Sequence, residues 1–255
     1  SNTHVIKRQD KKPIIAKSPI DRSPPIDAVI IPPNPISVVS VVRIAARPVV
    51  FIMCGICGEL RLNGTLPQLN DIHQMMKSLE KRGPDHAGSY SDGALAFGHR
   101  RLSILDLSEK GNQPMLDPQL GLALVFNGTI YNHPELRQQL QAKGHHFFST
   151  GDTEVILKAY AEWGKDCVKR FLGMFAIAIW DLKQKTLFIA RDRMGIKPLY
   201  YQSNEQGFRF ASNMQALLAT PGIDTDLDPA ALHNLFTLHA VVPAPRTILK
   251  GIRKL

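Results

Sequence analysis

The residue with the clearest chemical potential is Cys54, in the run Met-Cys-Gly-Ile-Cys-Gly at residues 53–58. If Met53 is removed, Cys54 becomes an N-terminal residue that carries a thiol and a free α-amine together. A thiol has a pKa of about 8.5 and an α-amine has one of about 7.7 to 8.0, so the amine can accept the thiol proton near neutral pH. The run therefore predicts a nucleophile activated by its own amine. Because 52 residues precede Met53 in this chain, that chemistry requires their removal.

Cys54 and Cys57 also form a Cys-x-x-Cys pair, which in a cytosolic protein can be a redox pair. Redox pairs of that kind begin a helix, whereas residues 56–62 alternate apolar and polar positions as a half-buried strand does. We therefore favour a structural role for Cys57 as a small buried side chain. A thiol oxidoreductase remains an alternative.

Residues 1–52 differ in composition from the rest of the chain. They hold 8 of the 18 prolines and +5 of the formal net charge of +9, with no sustained helix or strand period. We predict a disordered leader, which could be a removed propeptide, a targeting segment or upstream sequence included in the protein by mistaken translation; we favour the third. Bulky Met53 before Cys54 is unlike a signal-peptide cleavage site, so secretion is not expected.

The composition of residues 53–255 excludes several classes of function. Their net charge is only +4, without a basic stripe interleaved with aromatic residues, so nucleic-acid binding is not expected. Three cysteines make no disulfide framework and indicate a reducing compartment, for which we expect the cytoplasm. The chain has no charge-free apolar run of roughly 18 residues, so no membrane association is expected.

The elements that must position Cys54 follow from periodicity. Helical spacing predicts helices over residues 67–79, 134–143, 152–163, 214–219 and 229–237. Apolar runs predict strands over residues 56–62, 94–105, 122–126, 174–181, 187–190, 199–201 and 208–211, the third ending in a turn at Asn127-Gly128. Met174–Asp181 is apolar on both faces and must be covered on both sides. These blocks predict a layered α+β fold with two stacked sheets and helices outside them.

Six motifs fall in the order seen in class II glutamine amidotransferases. They are Met-Cys-Gly-Ile at 53–56, Arg-Gly-Pro-Asp at 82–85, His-Arg-Arg-Leu-Ser-Ile at 99–104, Asn-Gly-Thr-Ile-Tyr-Asn at 127–132, Gly-Asp-Thr-Glu-Val at 151–155 and Arg-Asp-Arg-Met-Gly-Ile-Lys-Pro-Leu-Tyr at 191–200. More narrowly, Met53–Leu255 resembles the glutaminase domain of glutamine-hydrolysing asparagine synthetases. Phe147–Val155 and His239–Lys250 resemble the bacterial N-acetylglutaminylglutamine amidotransferases.

The resemblance implies a fold and a reaction. The fold is the four-layer αββα sandwich of N-terminal-nucleophile hydrolases, over residues 53–240, with 241–255 beginning the junction to an ATP-dependent synthetase domain. Cys54 would attack the side-chain amide of glutamine and leave a thioester and free ammonia, and water would then release glutamate. The Ser-Gly-Gly-x-Asp-Ser pyrophosphate loop of the family's synthetase domain does not occur in this chain, so we expect the glutaminase half only.

The resemblance also assigns roles at the site. Asn127 and Gly128 match the oxyanion-hole residues, although the dipeptide alone would suggest an ordinary turn. Arg101 matches the arginine that binds the glutamine carboxylate, and Asp152 matches the acid that receives the ammonium; Asp152 could also be only a helix N-cap. Further pocket-lining residues implied by the resemblance are Leu102, Ser103, Ile104 and Leu105.

Thr129 departs from the family, because asparagine synthetases usually have a glutamate there that contacts the substrate ammonium. Loss of such a charged contact costs about 1.5 to 3 kcal/mol, so we expect weaker glutamine binding rather than lost chemistry. The departure also leaves the acceptor open between aspartate and another carboxylate. A catalytically silent regulatory or interaction domain is therefore a second alternative.

Partners and cofactors follow from the same resemblance. We expect L-glutamine as substrate, a synthetase domain in cis and a homodimer as the candidate assembly. The glutaminase step needs no metal or other cofactor, and ATP and Mg belong to the synthetase domain. We interpret Arg191–Tyr200 as a Gly/Pro turn that joins two strands, whose charged residues could also face that domain.

Overall fold

Two antiparallel sheets form the centre of the molecule, in a computed structural model that describes residues 2–7, 53–103 and 106–255. The strands in these ranges are β1 (Asn2–Lys7), β2 (Gly55–Arg61), β3 (His86–Asp92), β4 (Leu95–Arg101), β5 (Met115–Asp117), β6 (Leu122–Ile130), β7 (Gly173–Asp181), β8 (Thr186–Arg191), β9 (Tyr200–Asn204), β10 (Gly207–Ala211) and β11 (Arg253–Lys254). The first sheet has the strand order β1-β8-β7-β6-β5, and the second has the order β11-β9-β10-β2-β4-β3.

Helices occupy the connections between the strands. They are α1 (Leu69–Ser78), α2 (His133–Ala142), α3 (Asp152–Trp163), α4 (Met214–Leu218) and α5 (Pro229–Thr237), with short 3₁₀ helices at Glu109–Gly111 and Gly164–Arg170. Helix α2 ends before Gly144, whose φ of +91° confirms the predicted glycine stop. In the described part of the chain, no helix combines the length and the apolar character that crossing a membrane requires.

Three hydrophobic clusters separate four layers. The central cluster joins the two sheets and contains Phe97 from β4 and Val125 from β6. A second cluster packs α2 and α3 on the outer face of the first sheet, and a third packs α1 and α4 on the outer face of the second. Strand β7 is covered on both sides, as its apolar sequence predicts. The layers are αββα, which confirms the predicted fold class.

Strand β2 is more deeply buried than its alternating sequence predicts. All residues from Gly55 to Leu60 are buried, so the prediction of a half-buried strand is wrong. The reason is that α1 and α4 cover the face that was expected to meet solvent, where Cys57 joins their cluster. Glu59 on this face accepts a hydrogen bond from Arg209 Nε at 2.8 Å. These polar residues of the alternating sequence are therefore buried: Glu59 in an ion pair with Arg209, and Cys57 as a thiol in the cluster.

Strand β6 extends beyond the predicted end at residue 126. It continues through Asn127 and Gly128 to Ile130, with Asn127 opposite Ala176 and Gly128 opposite Phe175 in β7. The predicted turn at Asn127-Gly128 is wrong because β7 runs alongside and holds both residues in the ladder. The two residues are therefore held by sheet geometry.

The N-terminal strand β1 pairs antiparallel with β8 at the edge of the first sheet. The prediction of disorder is wrong for Asn2–Lys7, because the free N–H and C=O groups of an edge strand can pair with a neighbouring segment. Residues 1 and 8–52 of the predicted leader lie outside the described residues. The origin and removal of the leader, and the domain boundaries at 53 and 240, remain predictions.

Candidate active site

Side chains from β2, β4 and β6 meet at one end of the layer between the sheets. Residues two apart on a strand share a face. On each of these strands, the face that packs in the central hydrophobic cluster also carries site residues. They are Cys54 just before β2, Arg101 at the end of β4, and Asn127 and Thr129 in β6. The same packing that joins the two sheets therefore aims these four side chains at a common space.

These side chains line a cavity of about 260 Å³. The start of α3 contributes Asp152 and Gly151, and the connections contribute Met53, Asp106 and Lys197. The volume lies slightly below the roughly 300 Å³ at which small-molecule pockets usually begin. The cavity therefore suits a ligand of amino-acid size.

The Cys54 thiol lies against the main chain that follows β4. The Leu102 N–H donates to Sγ at 3.3 Å, and Sγ lies 3.5 Å from the Leu102 carbonyl oxygen. Burial raises the pKa of the thiol, while the Leu102 hydrogen bond and the positive charges of Arg101 and Lys197 act in the opposite direction. The thiol therefore needs these groups, or a base, to become a thiolate. The nitrogen of Cys54 is bound to Met53 in this chain.

Asn127 is 1% exposed, and neither Nδ2 nor Oδ1 of its side-chain amide has a hydrogen-bond partner within the described residues. Leaving a buried polar group unpaired costs about 1 to 3 kcal/mol. The preceding carbonyl, that of Phe126, lies 3.3 Å from His99 Nε2, and burial lowers the pKa of His99 to about 3, which keeps the ring neutral. The unpaired amide on a fixed backbone is suited to binding a ligand group.

Gly128 directs its N–H to the edge of β6 that faces away from β7. Phe175 opposite it exchanges hydrogen bonds with Asp192, whose carboxylate accepts at 3.3 Å and whose N–H donates at 2.8 Å. The Gly128–Phe175 pair is therefore a non-hydrogen-bonded pair of the ladder. The N–H groups of Phe126 and Ile130, two residues before and after Gly128 on the same edge of β6, donate to side-chain oxygens at 2.6 and 2.9 Å. The Gly128 N–H and the Asn127 amide can together stabilise an oxyanion.

Asp152 is the first residue of α3 and lies in the cavity wall. The N-cap is Gly151, and the Asp152 carboxylate instead accepts a hydrogen bond from the Ile130 N–H at 2.9 Å, so the N-cap alternative is wrong. Burial raises the pKa of Asp152, although the Ile130 N–H opposes that effect. A buried carboxylate is costly unless it has a charged partner. Asp152 is therefore suited to receive a cationic group of a ligand.

Arg101 lies in the cavity wall and also anchors the segment that follows β4. Its Nη1 donates to the Ser108 carbonyl at 2.9 Å and to Asn112 Oδ1 at 2.7 Å, and its Nη2 donates to the Asp106 carbonyl. A guanidinium has five N–H donors, so these bonds do not exhaust it. Binding of a substrate carboxylate by Arg101 remains a prediction.

The other predicted site residues have different positions. Leu102 and Thr129 line the cavity. Ser103 does not, because its N–H donates to Asp85 Oδ2 at 2.8 Å, which holds it at the half-exposed side of the strand end. The remaining two, Ile104 and Leu105, lie outside the described residues.

Lys197 is one of the cavity residues that the sequence did not reveal. Residues 192–199 do connect β8 to β9, as predicted, but Lys197 is 5% exposed and lines the cavity. Its Nζ donates to Met53 Sδ at 2.8 Å. Asp192 fixes the connection by accepting from the N–H groups of Ile196 and Lys197 at 2.8 and 2.9 Å. The sequence signal that could have identified Lys197 is its location in one of the six motifs, at residues 191–200.

The geometry of Cys57 does not suit a redox pair with Cys54. The two residues are three apart on an extended chain, so their side chains face opposite sides of β2. The Cys57 thiol is fully buried against the Gly98 carbonyl at 3.6 Å, and burial raises its pKa. All three cysteines are free. Within the described ranges, no group of three or more His, Cys, Asp or Glu side chains could hold a metal ion.

Two stacked sheets lie between helical layers, and a cysteine at the start of a central strand faces a cavity; this is the αββα fold of N-terminal-nucleophile hydrolases. Residues 53–255 match the family described as "Glutamine amidotransferase domain". The chain belongs to the class II glutamine amidotransferases, in the asparagine synthetase family.

Curated relatives support this placement. The chain is 40% identical over 206 residues to asparagine synthetase (glutamine-hydrolysing) 3 of Bacillus subtilis, covering 80% of this chain and 33% of that protein. It is 38% identical over 205 residues to asparagine synthetase (glutamine-hydrolysing) 1 of the same organism, covering 79% of this chain and 32% of that protein. The chain thus spans about a third of the length of these relatives.

A solved structure supports the fold. The glutamine phosphoribosylpyrophosphate amidotransferase of B. subtilis matches with a TM-score of 0.56 and 22% identity, over 65% of this chain and 43% of that one. At this identity the likeness concerns the fold alone. The narrower resemblance to N-acetylglutaminylglutamine amidotransferases is not tested by these comparisons and remains a prediction.

Proposed function

We propose that this chain hydrolyses L-glutamine through an N-terminal Cys54 and supplies the ammonia to a synthetase domain. One observation carries the proposal: a thiol, an unpaired amide, a guanidinium and a carboxylate, from Cys54, Asn127, Arg101 and Asp152, converge on a single cavity of about 260 Å³. These four groups complement the reactive amide, the carboxylate and the ammonium of one glutamine molecule.

The reaction begins with proton transfer. Once the Met53–Cys54 bond is cleaved, the free α-amine takes the proton of the thiol, and the thiolate attacks the side-chain carbonyl carbon of glutamine. The carbonyl oxygen becomes an oxyanion that the Asn127 Nδ2 and the Gly128 N–H stabilise. Collapse breaks the carbon–nitrogen bond, and the ammonium of Cys54 returns the proton to the departing ammonia. Water then attacks the thioester and releases glutamate and the thiol.

Recognition of free glutamine uses both charged ends of the amino acid. The guanidinium of Arg101 binds the α-carboxylate, and the Asp152 carboxylate binds the α-ammonium beside the positive end of α3. Thr129 shares the face of Asn127 in β6 and offers no charge to the ammonium. We therefore expect weak glutamine binding with intact chemistry.

The activity of the complete protein is a further part of the proposal. In the relatives, which are about three times longer than the matched segment, the name describes asparagine synthesis with glutamine hydrolysis. We infer that a synthetase domain in cis uses ATP and Mg to activate a carboxylate, with aspartate or another acid as acceptor. A homodimer and a cytoplasmic location belong to the same proposal, and the three free cysteines support a reducing compartment.

N-terminal sequencing combined with a glutaminase assay tests the proposal. The full chain is expressed, its first residue is determined, and glutamate release is compared between the parent, Cys54→Ala and Cys57→Ala. We expect Cys54 as the first residue of active protein, loss of activity in Cys54→Ala and retained activity in Cys57→Ala. Equal glutamate release by the parent and Cys54→Ala would contradict the proposal.

A silent interaction domain is the second candidate, and one observation favours it. Met53 lines the cavity and contacts Lys197 while it is bound to the nitrogen of Cys54. A chain that keeps its leader has no free amine at Cys54 and a smaller cavity. Intact-mass measurement of the cellular protein distinguishes the candidates, because the silent domain requires the uncleaved mass.

A further inference from the structure

The side chain of Lys197 ends at the cavity, and no carboxylate of the described residues contacts its ammonium. Its Nζ donates instead to the thioether of Met53 at 2.8 Å. The lysine is 5% exposed, and Asp192, the nearest acid on its own connection, is occupied by the N–H groups of Ile196 and Lys197. A buried cation is expensive without a charged partner, so the position indicates a function.

The ammonium of Lys197 contacts Met53, the residue bonded to Cys54, and its charge acts on the Cys54 thiol. Met53 is bonded to the nitrogen of Cys54, so a group that touches Met53 lies on the side where the α-amine becomes free. Lys197 and Cys54 also line the same cavity. Removal of Met53 takes away the thioether partner and leaves the ammonium of Lys197 facing the new N-terminus.

We propose that Lys197 is a positioning residue that sets the ionisation of Cys54, because its ammonium stabilises the thiolate and disfavours protonation of the neighbouring α-amine. Both effects favour the reactive form at neutral pH, in which the thiol and the amine share one proton: the neutral amine is free to accept the thiol proton, and the thiolate left by that transfer is stabilised. The part that concerns the α-amine rests on the function proposed above. The part that concerns the thiol does not require processing or glutamine.

Other charged groups surround Lys197 and Cys54, and their effects on the thiol must be distinguished from the effect of Lys197. The titratable and charged side chains from the neighbouring elements are Arg82, Arg101, Asp106, Asp152, Asp192 and Tyr200. Burial lowers the pKa of Lys197 and Arg82 acts in the same direction, while Cys54 and Asp192 oppose both. The coupling between Lys197 and Cys54 is mutual, since Lys197 also favours the thiolate of Cys54.

Alkylation of Cys54 in the full chain tests the thiol part. The rate of reaction with iodoacetamide is measured against pH for the parent, Lys197→Met, Lys197→Gln and Lys197→Arg, with modification read by mass at Cys54. An opposite charge nearby typically lowers a pKa by one to three, so both neutral variants should react about tenfold more slowly at pH 7. Lys197→Arg should retain the parental rate. Lys183→Met, at an exposed lysine on the β7–β8 turn, is the matched control.

Equal alkylation profiles for the parent and the folded neutral variants would overturn the proposal. So would an arginine variant that is as slow as the neutral ones, since that result indicates shape rather than charge. If neither neutral variant folds, the coupling is measured in the parent protein, which keeps the Lys197 side chain. Because coupling is reciprocal, blocking Cys54 with iodoacetamide must lower the pKa of Lys197, read from its ε-carbon chemical shift, and an unchanged pKa refutes the coupling.

The pH profile of glutamine hydrolysis tests the amine part in protein whose first residue is Cys54. Loss of the ammonium raises the pKa of the α-amine, so the acidic limb of kcat/KM should move to higher pH by about one pH unit in Lys197→Met and Lys197→Gln. An evenly reduced rate without a shift would overturn this part. If the parent hydrolyses no glutamine, the proposed function fails, while the alkylation result still decides the thiol part.

Discussion

Replacing Asp152 with asparagine removes one negative charge from the cavity and keeps the shape of the side chain. The Ile130 N–H, which donates to the carboxylate at 2.9 Å, retains an oxygen acceptor in the variant. The main chain of β6 beside Asn127 and the start of α3 should therefore stay in place. The substitution isolates the charge that we assign to the ammonium of glutamine.

The effect of Asp152→Asn on binding can be estimated from the burial of the site. A hydrogen bond to a charged group contributes about 1.5 to 3 kcal/mol. Its loss corresponds to a decrease in kcat/KM of about 10- to 150-fold. Because the charge contacts the substrate away from its reacting amide, KM should carry most of the change. Steady-state glutamate release at varied glutamine concentration measures both constants.

The same substitution should raise the stability of the fold. Burial raises the pKa of Asp152 in the folded state, so the native protein binds a proton more readily than the unfolded chain. Stability then falls as the pH rises from the unfolded pKa through the raised folded pKa. Asp152→Asn should therefore have a higher Tm than the parent at pH 7, and the difference should disappear below the ordinary carboxyl pKa of about 3.8.

A second cavity carboxylate supplies the matched control. Hydrogen bonds from Ser108 and Thr150 hold the pKa of Asp106 down to about 2. Asp106→Asn should therefore lower the Tm at pH 7, with the loss vanishing as the pH falls toward 2. If Asp152→Asn folds and keeps the parental kcat/KM, the buried carboxylate does not bind the ammonium and the reasoning is refuted.

Three further substitutions test other parts of the site and core. Thr129→Glu should lower the KM for glutamine by tenfold or more, since a charged contact contributes about 1.5 to 3 kcal/mol; Thr129→Gln, of the same length without the charge, should not. Gly128→Ala should destabilise the fold by about 1 to 3 kcal/mol in denaturant unfolding, because the new Cβ would overlap the main-chain oxygen of Met174. Lys158→Met should cost about 3 to 5 kcal/mol, because Asp117, now 2.6 Å from the ammonium, would be left buried without a charged partner.

Local sequence patterns predicted most elements but could not show what covers them. The alternation in β2 predicts one buried and one solvent-exposed face. In the structure, Glu59 on the second face pairs with Arg209, which is 150 residues away in sequence. Only the packed structure shows that pairing. Similarly, Asn127-Gly128 suggests a turn locally, and the long partner strand β7 keeps both residues in the sheet. Non-local contacts overrode the local signal in both cases.

The catalytic candidates were easier to predict than the residues that support them. Cys54, Asn127 and Asp152 lie in motifs that the family resemblance assigns, and the structure brings them to one cavity. Lys197 belongs to a connection whose Gly and Pro residues suggest only a turn. The conformation of this connection, and with it the position of the Lys197 side chain, depends on hydrogen bonds that two of its N–H groups donate to Asp192. No local pattern predicts those bonds.

The part of the cavity wall formed by the loop before α3 is held by hydrogen bonds to charged side chains. Arg137 of α2 donates to the carbonyls of Ser149 and Gly151, both at 2.9 Å, and Glu154 of α3 accepts from the Ser149 N–H at 2.7 Å. From the other side, Asp106 accepts from the Thr150 N–H at 3.2 Å. Loop backbone at a cavity cannot be stabilised by a hydrophobic core, so its polar groups need such partners. These bonds fix the loop that precedes α3, and thereby the Asp152 carboxylate to which we assign binding of the glutamine ammonium.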